Sequence, residues 1–136
     1  MKKKTNFLAA IIAAIGLITV ILPGSAQAQQ VGSGRTELQR HNLSIPGREV
    51  VQVRVDLEPG VLSHKHTHPG EEIVYVIEGL LEYTVEGKTA VTLKAGDVLF
   101  IPAGKAHTAK NVGTGKGSEL TTYIVDKTKP LVTIVK

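Results

Sequence analysis

Residues 60–79 read GVLSHKHTHPGEEIVYVIEG, and this stretch decides the fold. His66 and His68 are two residues apart. Because residues i and i+2 of a β-strand project to the same face, the spacing predicts that both imidazoles reach one point. Pro69-Gly70 is typical of a turn, and Glu72 opens the β-branched run that follows. A carboxylate placed there is expected to close on the point that the two imidazoles share.

A second stretch, residues 96–111, reads GDVLFIPAGKAHTAKN and contributes His107. On its own, each of these residues is more often an ordinary surface or core residue than a metal ligand. Together, three neutral imidazoles and one carboxylate form a mixed nitrogen and oxygen set. Such a set suits Fe, Mn, Ni, Cu or Zn better than Ca or Mg, which prefer shells of oxygen alone.

The two stretches together resemble the two signature motifs of the cupin superfamily. In the first, five residues separate Gly60 from His66, and six separate Glu72 from Gly79. In the second, Pro102, Gly104, His107 and Asn111 follow Gly96 at the family's spacing. The resemblance implies an all-β double-stranded β-helix, or jelly-roll barrel, that holds one divalent transition metal ion, with Fe or Mn favoured. It implies the ligands His66, His68, Glu72 and His107, and a homodimer.

The rest of the chain predicts strands joined by tight turns. Residues 50–57 alternate, with Val51, Val53, Val55 and Leu57 on one face. Further short strands are predicted at 64–68, 73–77, 80–85, 89–93, 98–101, 107–112, 119–125 and 131–135, separated by Gly- and Pro-rich turns. Regular spacing of this kind indicates a sandwich or a barrel. We therefore expect a barrel domain over 49–136 and a flexible segment over 29–48.

The first 28 residues have the order of a secretory signal peptide. Lys2, Lys3 and Lys4 precede an almost wholly apolar run over 7–22, and Ala26-Gln27-Ala28 supplies a small-residue cleavage site. A membrane anchor is the alternative, but the run is short for a span. Cleavage after Ala28 predicts a periplasmic or secreted protein with no membrane attachment. The chain has no cysteine, so no disulfide can form.

Removal of this leader changes the charge argument. The whole chain has 16 basic residues and 12 acidic ones, and the leader holds three lysines and no acid. The predicted mature chain is therefore close to neutral. No basic tract interleaved with aromatics indicates nucleic acid, so a small molecule is the expected partner.

His64 and Asn111 carry separate predictions. His64 has the same parity as His66 and His68, so on a regular strand it would point inward as an acid–base group or substrate contact. We favour the other interpretation, a histidine at the rim of a bent segment. Asn111 is expected to be structural, bonding loop backbone near the last ligand strand. His41 is expected at the surface, and the three tyrosines are expected in packing roles, with a pocket-lining role as the alternative.

Three functions fit these observations. Four protein ligands leave an octahedral ion two open positions, which favours a metal-dependent enzyme with Glu72 or His64 as proton carrier. Within the resembled superfamily, a quercetin-dioxygenase-like oxygenase is favoured, with a metal-dependent isomerase or decarboxylase as the alternative. A periplasmic module that binds or senses a small ligand or metal is the second function. A barrel stabilised by a structural metal is the third.

Overall fold

The computed structural model describes residues 30–136, which form ten β-strands and no helix. No helix in that range is long and apolar enough to cross a membrane. The strands are β1 Ser33–Asn42, β2 Arg48–Leu57, β3 His66–Thr67, β4 Gly70–Glu78, β5 Leu80–Val85, β6 Val91–Lys94, β7 Val98–Ile101, β8 His107–Asn111, β9 Gly117–Asp126 and β10 Thr133–Ile134. The predicted signal peptide, residues 1–28, lies outside the described residues.

Two five-stranded antiparallel sheets face each other. The first has the order β1-β2-β9-β4-β7 and the second β10-β3-β8-β5-β6. The chain crosses between the sheets after β2, β3, β4, β6, β7, β8 and β9, which is the winding of a jelly roll. The predicted all-β jelly-roll class is confirmed, and the predictions for 80–85 and 98–101 coincide with β5 and β7.

The core lies between the sheets and is built by strand alternation. Val51, Val53, Val55 and Leu57 are all buried, as predicted, and the residues between them are partly exposed. Tyr83 on β5 and Tyr123 on β9 are each 1% exposed and fill the space that the aliphatic side chains leave. Aromatic side chains bring the largest buried areas, so these two tyrosines are central to the packing.

The prediction of a flexible segment over 29–48 is wrong for most of its length. β1 pairs with β2 from Ser33 opposite Leu57 to Asn42 opposite Glu49, with a bulge between Glu37 and Gln39. The side chains of β1 are mostly exposed, so the strand is held by its backbone ladder rather than by apolar burial. A strand held in this way leaves no hydrophobic alternation in the sequence, which is why it was missed.

The signature glycines occupy turns that need a left-handed backbone. Gly60, Gly79, Gly96 and Gly104 all have positive φ. Gly79 has a second constraint, because a Cβ there would lie 2.8 Å from the Cα of Gly117. The turn between β4 and β5 can therefore pack against the start of β9 only without a side chain.

Asn111, at the end of β8, ties the end of β2 to the loop between β8 and β9. Its Nδ2 donates hydrogen bonds to the carbonyl oxygens of Leu57 and Gly115, each at 2.8 Å, and its Oδ1 accepts from the Gly113 amide at 2.9 Å. The side chain is fully buried. The predicted structural role of Asn111 is confirmed.

Candidate metal centre

Strand register brings the three signature histidines together. His66 on β3 lies directly opposite His107 on β8, and His68 follows β3 with the same parity as His66. Glu72 enters from the other sheet, on β4, between Ile101 of β7 and Tyr123 of β9. The two sheets therefore meet at these four side chains.

The imidazoles are close and largely withdrawn from water. Their ring centroids are 4.9 Å apart for His66 and His68, 4.4 Å for His66 and His107, and 5.2 Å for His68 and His107. One ring nitrogen of each lies within 4.8 Å of the others, so the three could hold a metal ion. His68, Glu72 and His107 are buried, and His66 is partly exposed.

Each imidazole is held by a backbone carbonyl oxygen. Nδ1 of His66 lies 2.7 Å from the His64 oxygen, Nδ1 of His68 lies 2.6 Å from the Leu131 oxygen, and Nδ1 of His107 lies 2.9 Å from the Lys105 oxygen. A carbonyl oxygen only accepts, so Nδ1 of every ring must donate. In the neutral ring the Nε2 lone pair is then free to bind a metal ion.

The carboxylate faces two of these nitrogens. Glu72 Oε2 lies 3.0 Å from His107 Nε2 and 3.2 Å from His68 Nε2. Both His68 Nε2 and Glu72 Oε2 are buried without a hydrogen-bond partner of suitable geometry among residues 30–136. Two bare lone pairs at this distance repel each other unless a proton or a metal ion lies between them.

A transition metal ion fits these donor atoms. Nitrogen and oxygen ligands that are about 2.1 Å from one ion and at right angles to each other are about 3 Å apart. The distances from Glu72 Oε2 to the two histidine nitrogens match that spacing. A single divalent ion would satisfy the partnerless atoms of His68 and Glu72 at once.

The electrostatics of the site favour an ionised Glu72. Burial alone would raise the pKa of Glu72, but His107 and His68 hold that pKa well below its usual range. Burial and the neighbouring His107 ring lower the pKa of His66 to about 4. Burial opposes charge on His107 as well, but Glu72 outweighs it and raises the pKa of His107. An ionised Glu72 is the form that a cation requires.

His64 does not point inward, which agrees with the favoured interpretation of a histidine at the rim of a bent segment. Its side chain is exposed, and its backbone carbonyl, rather than its ring, serves the site by holding His66. The residues before β3 do not form a regular strand: Leu62 makes an isolated bridge to Lys110, and Ser63 bonds to Ala109. The parity argument therefore fails before His66. His41 is exposed, as predicted.

A small cavity, of about 30 Å³, opens beside the metal centre. His66, Glu72 and His107 form part of its wall, and Arg35, Glu119, Tyr83 and Tyr123 form another part. Tyr83 donates a hydrogen bond to Glu119 Oε2 at 2.6 Å. Burial raises the pKa of Glu119 to about 7, so this carboxyl can hold or release a proton near neutral pH.

Comparison with known proteins identifies the family. The family model described as "Cupin domain" matches residues 53–123, more than half of the chain. This chain belongs to the cupin family. The match spans β2 to β9 and so includes all four side chains of the candidate metal centre.

Curated relatives and solved structures resemble this cupin to different extents. Germin-like protein subfamily 2 member 2 of Arabidopsis thaliana is 39% identical over 87 residues, covering 58% of this chain and 40% of its own length. The oxalate-binding protein of Thermotoga maritima is 34% identical over 97 residues, covering 68% of this chain and 78% of its own. The structure of oxalate oxidase with the substrate analogue glycolate has a TM-score of 0.62 at 26% identity, covering 79% of this chain and 57% of the other. The cupin described here thus spans about two fifths of the germin-like relative.

Sequence reasoning missed the polar residues on the far wall of the cavity. Glu119 has the same parity on β9 as Thr121, Tyr123 and Val125, all of which are buried. A carboxylate at the same parity as apolar residues of a strand indicates a buried acid, so the sequence could have shown that Glu119 is buried. Arg35 gave no such sign, because β1 has no apolar alternation around it. Tyr83 and Tyr123 line the cavity as well as packing the core, so the pocket-lining alternative holds for these two tyrosines.

Proposed function

We propose that this cupin is a metal-dependent enzyme that acts on a small molecule. His66, His68, Glu72 and His107 would hold one divalent transition metal ion, with Fe or Mn favoured and Ni, Cu or Zn also compatible with the donors. The observation that carries the proposal is the facing pair of buried atoms, His68 Nε2 and Glu72 Oε2, which have no partner among residues 30–136. Two such buried acceptors need a proton or a cation between them, and one metal ion would serve both atoms at once.

The bound ion would polarise an oxygen of the substrate or activate O₂. The protein residues supply orientation and protons. The carbonyl oxygens of His64, Leu131 and Lys105 hold the three imidazoles, and a substrate in the cavity would lie against His66 and His107. Glu119, bonded to Tyr83, replaces His64 as the proposed proton carrier because it lines the cavity and titrates near pH 7.

Oxygenase chemistry of the dioxygenase type is the reaction that we favour, and the quercetin-dioxygenase-like subgroup remains a prediction. The mixed nitrogen and oxygen ligand set and the open cavity beside it support the choice. The similarity in fold to oxalate oxidase also supports redox chemistry at such a site. A metal-dependent isomerase or decarboxylase needs the same ligands and is the alternative within enzymes.

A binding module is the second candidate function. The oxalate-binding protein of Thermotoga maritima matches this chain over 78% of its own length. A protein that captures a small ligand needs the ion and the cavity but no proton carrier. The buried pair of Glu119 and Tyr83 therefore favours the enzyme over the binder.

Oxygen uptake separates these functions. The mature protein, loaded with Fe(II) or Mn(II), is offered flavonols, enediols, β-diketones and oxalate in an oxygen electrode. The enzyme proposal expects uptake with at least one of them, and a loss of most of the rate in Glu119→Gln while the metal is retained. Saturable binding of a compound with no uptake and no product by mass spectrometry would instead establish the binder.

Export and self-association complete the proposal. The sequence of residues 1–28 supports export to the periplasm or the medium.

The outer face of β4 and β7 carries exposed Ile73, Tyr75, Val98 and Phe100, and the register sets Ile73 opposite Phe100 and Tyr75 opposite Val98. This uncharged apolar patch matches a second copy of itself, as a homodimer requires. Light scattering should find a dimer, and Phe100→Glu should give a monomer; a wild-type monomer refutes the dimer.

A further inference from the structure

Arg35 reaches the cavity from β1, the strand at the edge of its sheet. It lies opposite Val55, which faces the core, so the side chain of Arg35 shares the inner face of the sheet. Its Nη2 donates a hydrogen bond to the Tyr123 hydroxyl at 3.1 Å, and its Cζ lies 5.9 Å from the centroid of that ring. Tyr123 in turn packs against His68, with ring centroids 4.5 Å apart. Tyr123 therefore links the guanidinium of Arg35 to His68 of the metal centre.

Arg35 is exposed like Arg40, but it differs from Arg40 and Arg54 in its ion pairing. Arg40 pairs with Glu37 and Glu49, and Arg54 pairs with Asp56 and Glu78. Within residues 30–136, no carboxylate lies within 4.0 Å of Arg35. A guanidinium carries five N–H donors in a planar fork, which matches the two oxygens of a carboxylate.

We propose that Arg35 is the anchor for the carboxylate of a small anionic ligand in this cavity, and that Tyr123 holds the guanidinium in position. The inference rests on the proposed function, because the same ligand would reach the metal centre. It deepens that function by naming the ligand class as small mono- or dicarboxylates. It also makes β1 part of the site, although the matched family domain begins only at residue 53.

Charge and size both favour such a ligand. A divalent ion and Arg35 together bring three positive charges to a cavity whose lining acids are Glu72 and Glu119. An anion would restore the balance, and a positive cleft also draws anions in. The space in the cavity is about 30 Å³, far below the roughly 300 to 1,000 Å³ of ligand pockets, so only a very small ligand can enter. Few carbon atoms fit beside the carboxylate.

The experiment compares oxalate with its neutral diamide, oxamide, on the Mn(II)-loaded mature protein. Isothermal titration gives the Kd of each, and elemental analysis gives the metal content of every sample. The protein variants are Arg35→Gln, Arg35→Lys and the control Arg40→Gln, which removes an arginine of the same strand that does not line the cavity.

We expect Arg35→Gln to raise the Kd for oxalate by roughly 10- to 100-fold, the usual loss for a hydrogen-bonded charge. Arg35→Lys keeps the positive charge but loses the planar set of N–H donors, so its Kd for oxalate should lie between those of the wild type and Arg35→Gln. Oxamide should bind the wild type weakly and be insensitive to both changes. Arg40→Gln should match the wild type, and metal content should be the same throughout.

Three results would overturn the inference. Equal oxalate affinity in wild type and Arg35→Gln, with metal present in both, refutes the anchor and leaves the metal centre standing. Oxamide that binds as tightly as oxalate refutes the anionic ligand class. A wild type that takes up no Mn(II) refutes the proposed function, and the inference falls with it.

Discussion

Replacement of Glu119 with Gln should change how stability depends on pH. Glu119 is 3% exposed, and its pKa is raised from 4.5 to about 7, first by burial and then by the charge of Glu72. Between those two values the unfolded chain releases the proton while the folded protein keeps it, so the free energy of unfolding falls as pH rises. Each pKa unit is about 1.4 kcal/mol, so the full loss is about 3 kcal/mol by pH 8.

Gln cannot ionise, and it resembles the protonated carboxyl in shape and donor capacity. It can still accept the hydrogen bond from Tyr83. The free energy of unfolding of Glu119→Gln minus that of the wild type should therefore rise by about 3 kcal/mol between pH 4.5 and pH 8. Because the other titrating groups are common to both proteins, their effects largely cancel in this difference.

The assay is urea denaturation of the metal-free protein in EDTA, followed by circular dichroism at five pH values. Glu82→Gln is the control, because Glu82 lies on the opposite face of β5 from Tyr83. Its difference from the wild type should stay flat. If the Glu119→Gln difference is also flat from pH 4.5 to 8, Glu119 is not held protonated by burial. Its proposed role as a proton carrier then fails.

Three more substitutions test particular contacts. Asn111→Ala removes three hydrogen bonds to buried loop backbone and should lower the free energy of unfolding by about 3 kcal/mol in urea; a loss below about 1 kcal/mol contradicts the structural role. Gly79→Ala should cost at least about 2 kcal/mol, because its Cβ would meet Gly117, whereas Gly87→Ala, with a similar φ but open space, should cost about 1 kcal/mol. His64→Ala should leave metal content unchanged, since only its carbonyl serves the site, and loss of metal would show that its ring takes part.

The sequence was sufficient to predict the elements that side-chain burial creates. β2 alternates between buried and partly exposed residues, so its faces can be read from the order of valines. The parity of His66 and His68 and the position of His107 on a neighbouring strand follow from the same period of two. Asn111 could be read because a buried amide at a strand end has few roles other than bonding to loops.

The parts that could not be predicted depend on backbone pairing and on the opposite sheet. β1 is stabilised by hydrogen bonds to β2, and those bonds do not select residue types. Arg35 therefore looked like part of a tail. Glu119 and Tyr83 belong to different sheets and are 36 residues apart in the chain. No local pattern shows that the Tyr83 hydroxyl lies 2.6 Å from Glu119 Oε2. Parity could not place the side chain of His64, because an irregular backbone before β3 breaks the alternation.

Metal content per chain tests the central claim most directly. The mature wild-type protein, purified without added metal or chelator, should contain about one transition metal ion per chain by elemental analysis. His66→Ala and His107→Ala should each lose the ion, and His41→Ala should keep it, because His41 is exposed on β1. A folded wild type without metal that also takes up no Fe(II) or Mn(II), or a His107→Ala protein with full occupancy, would contradict the account.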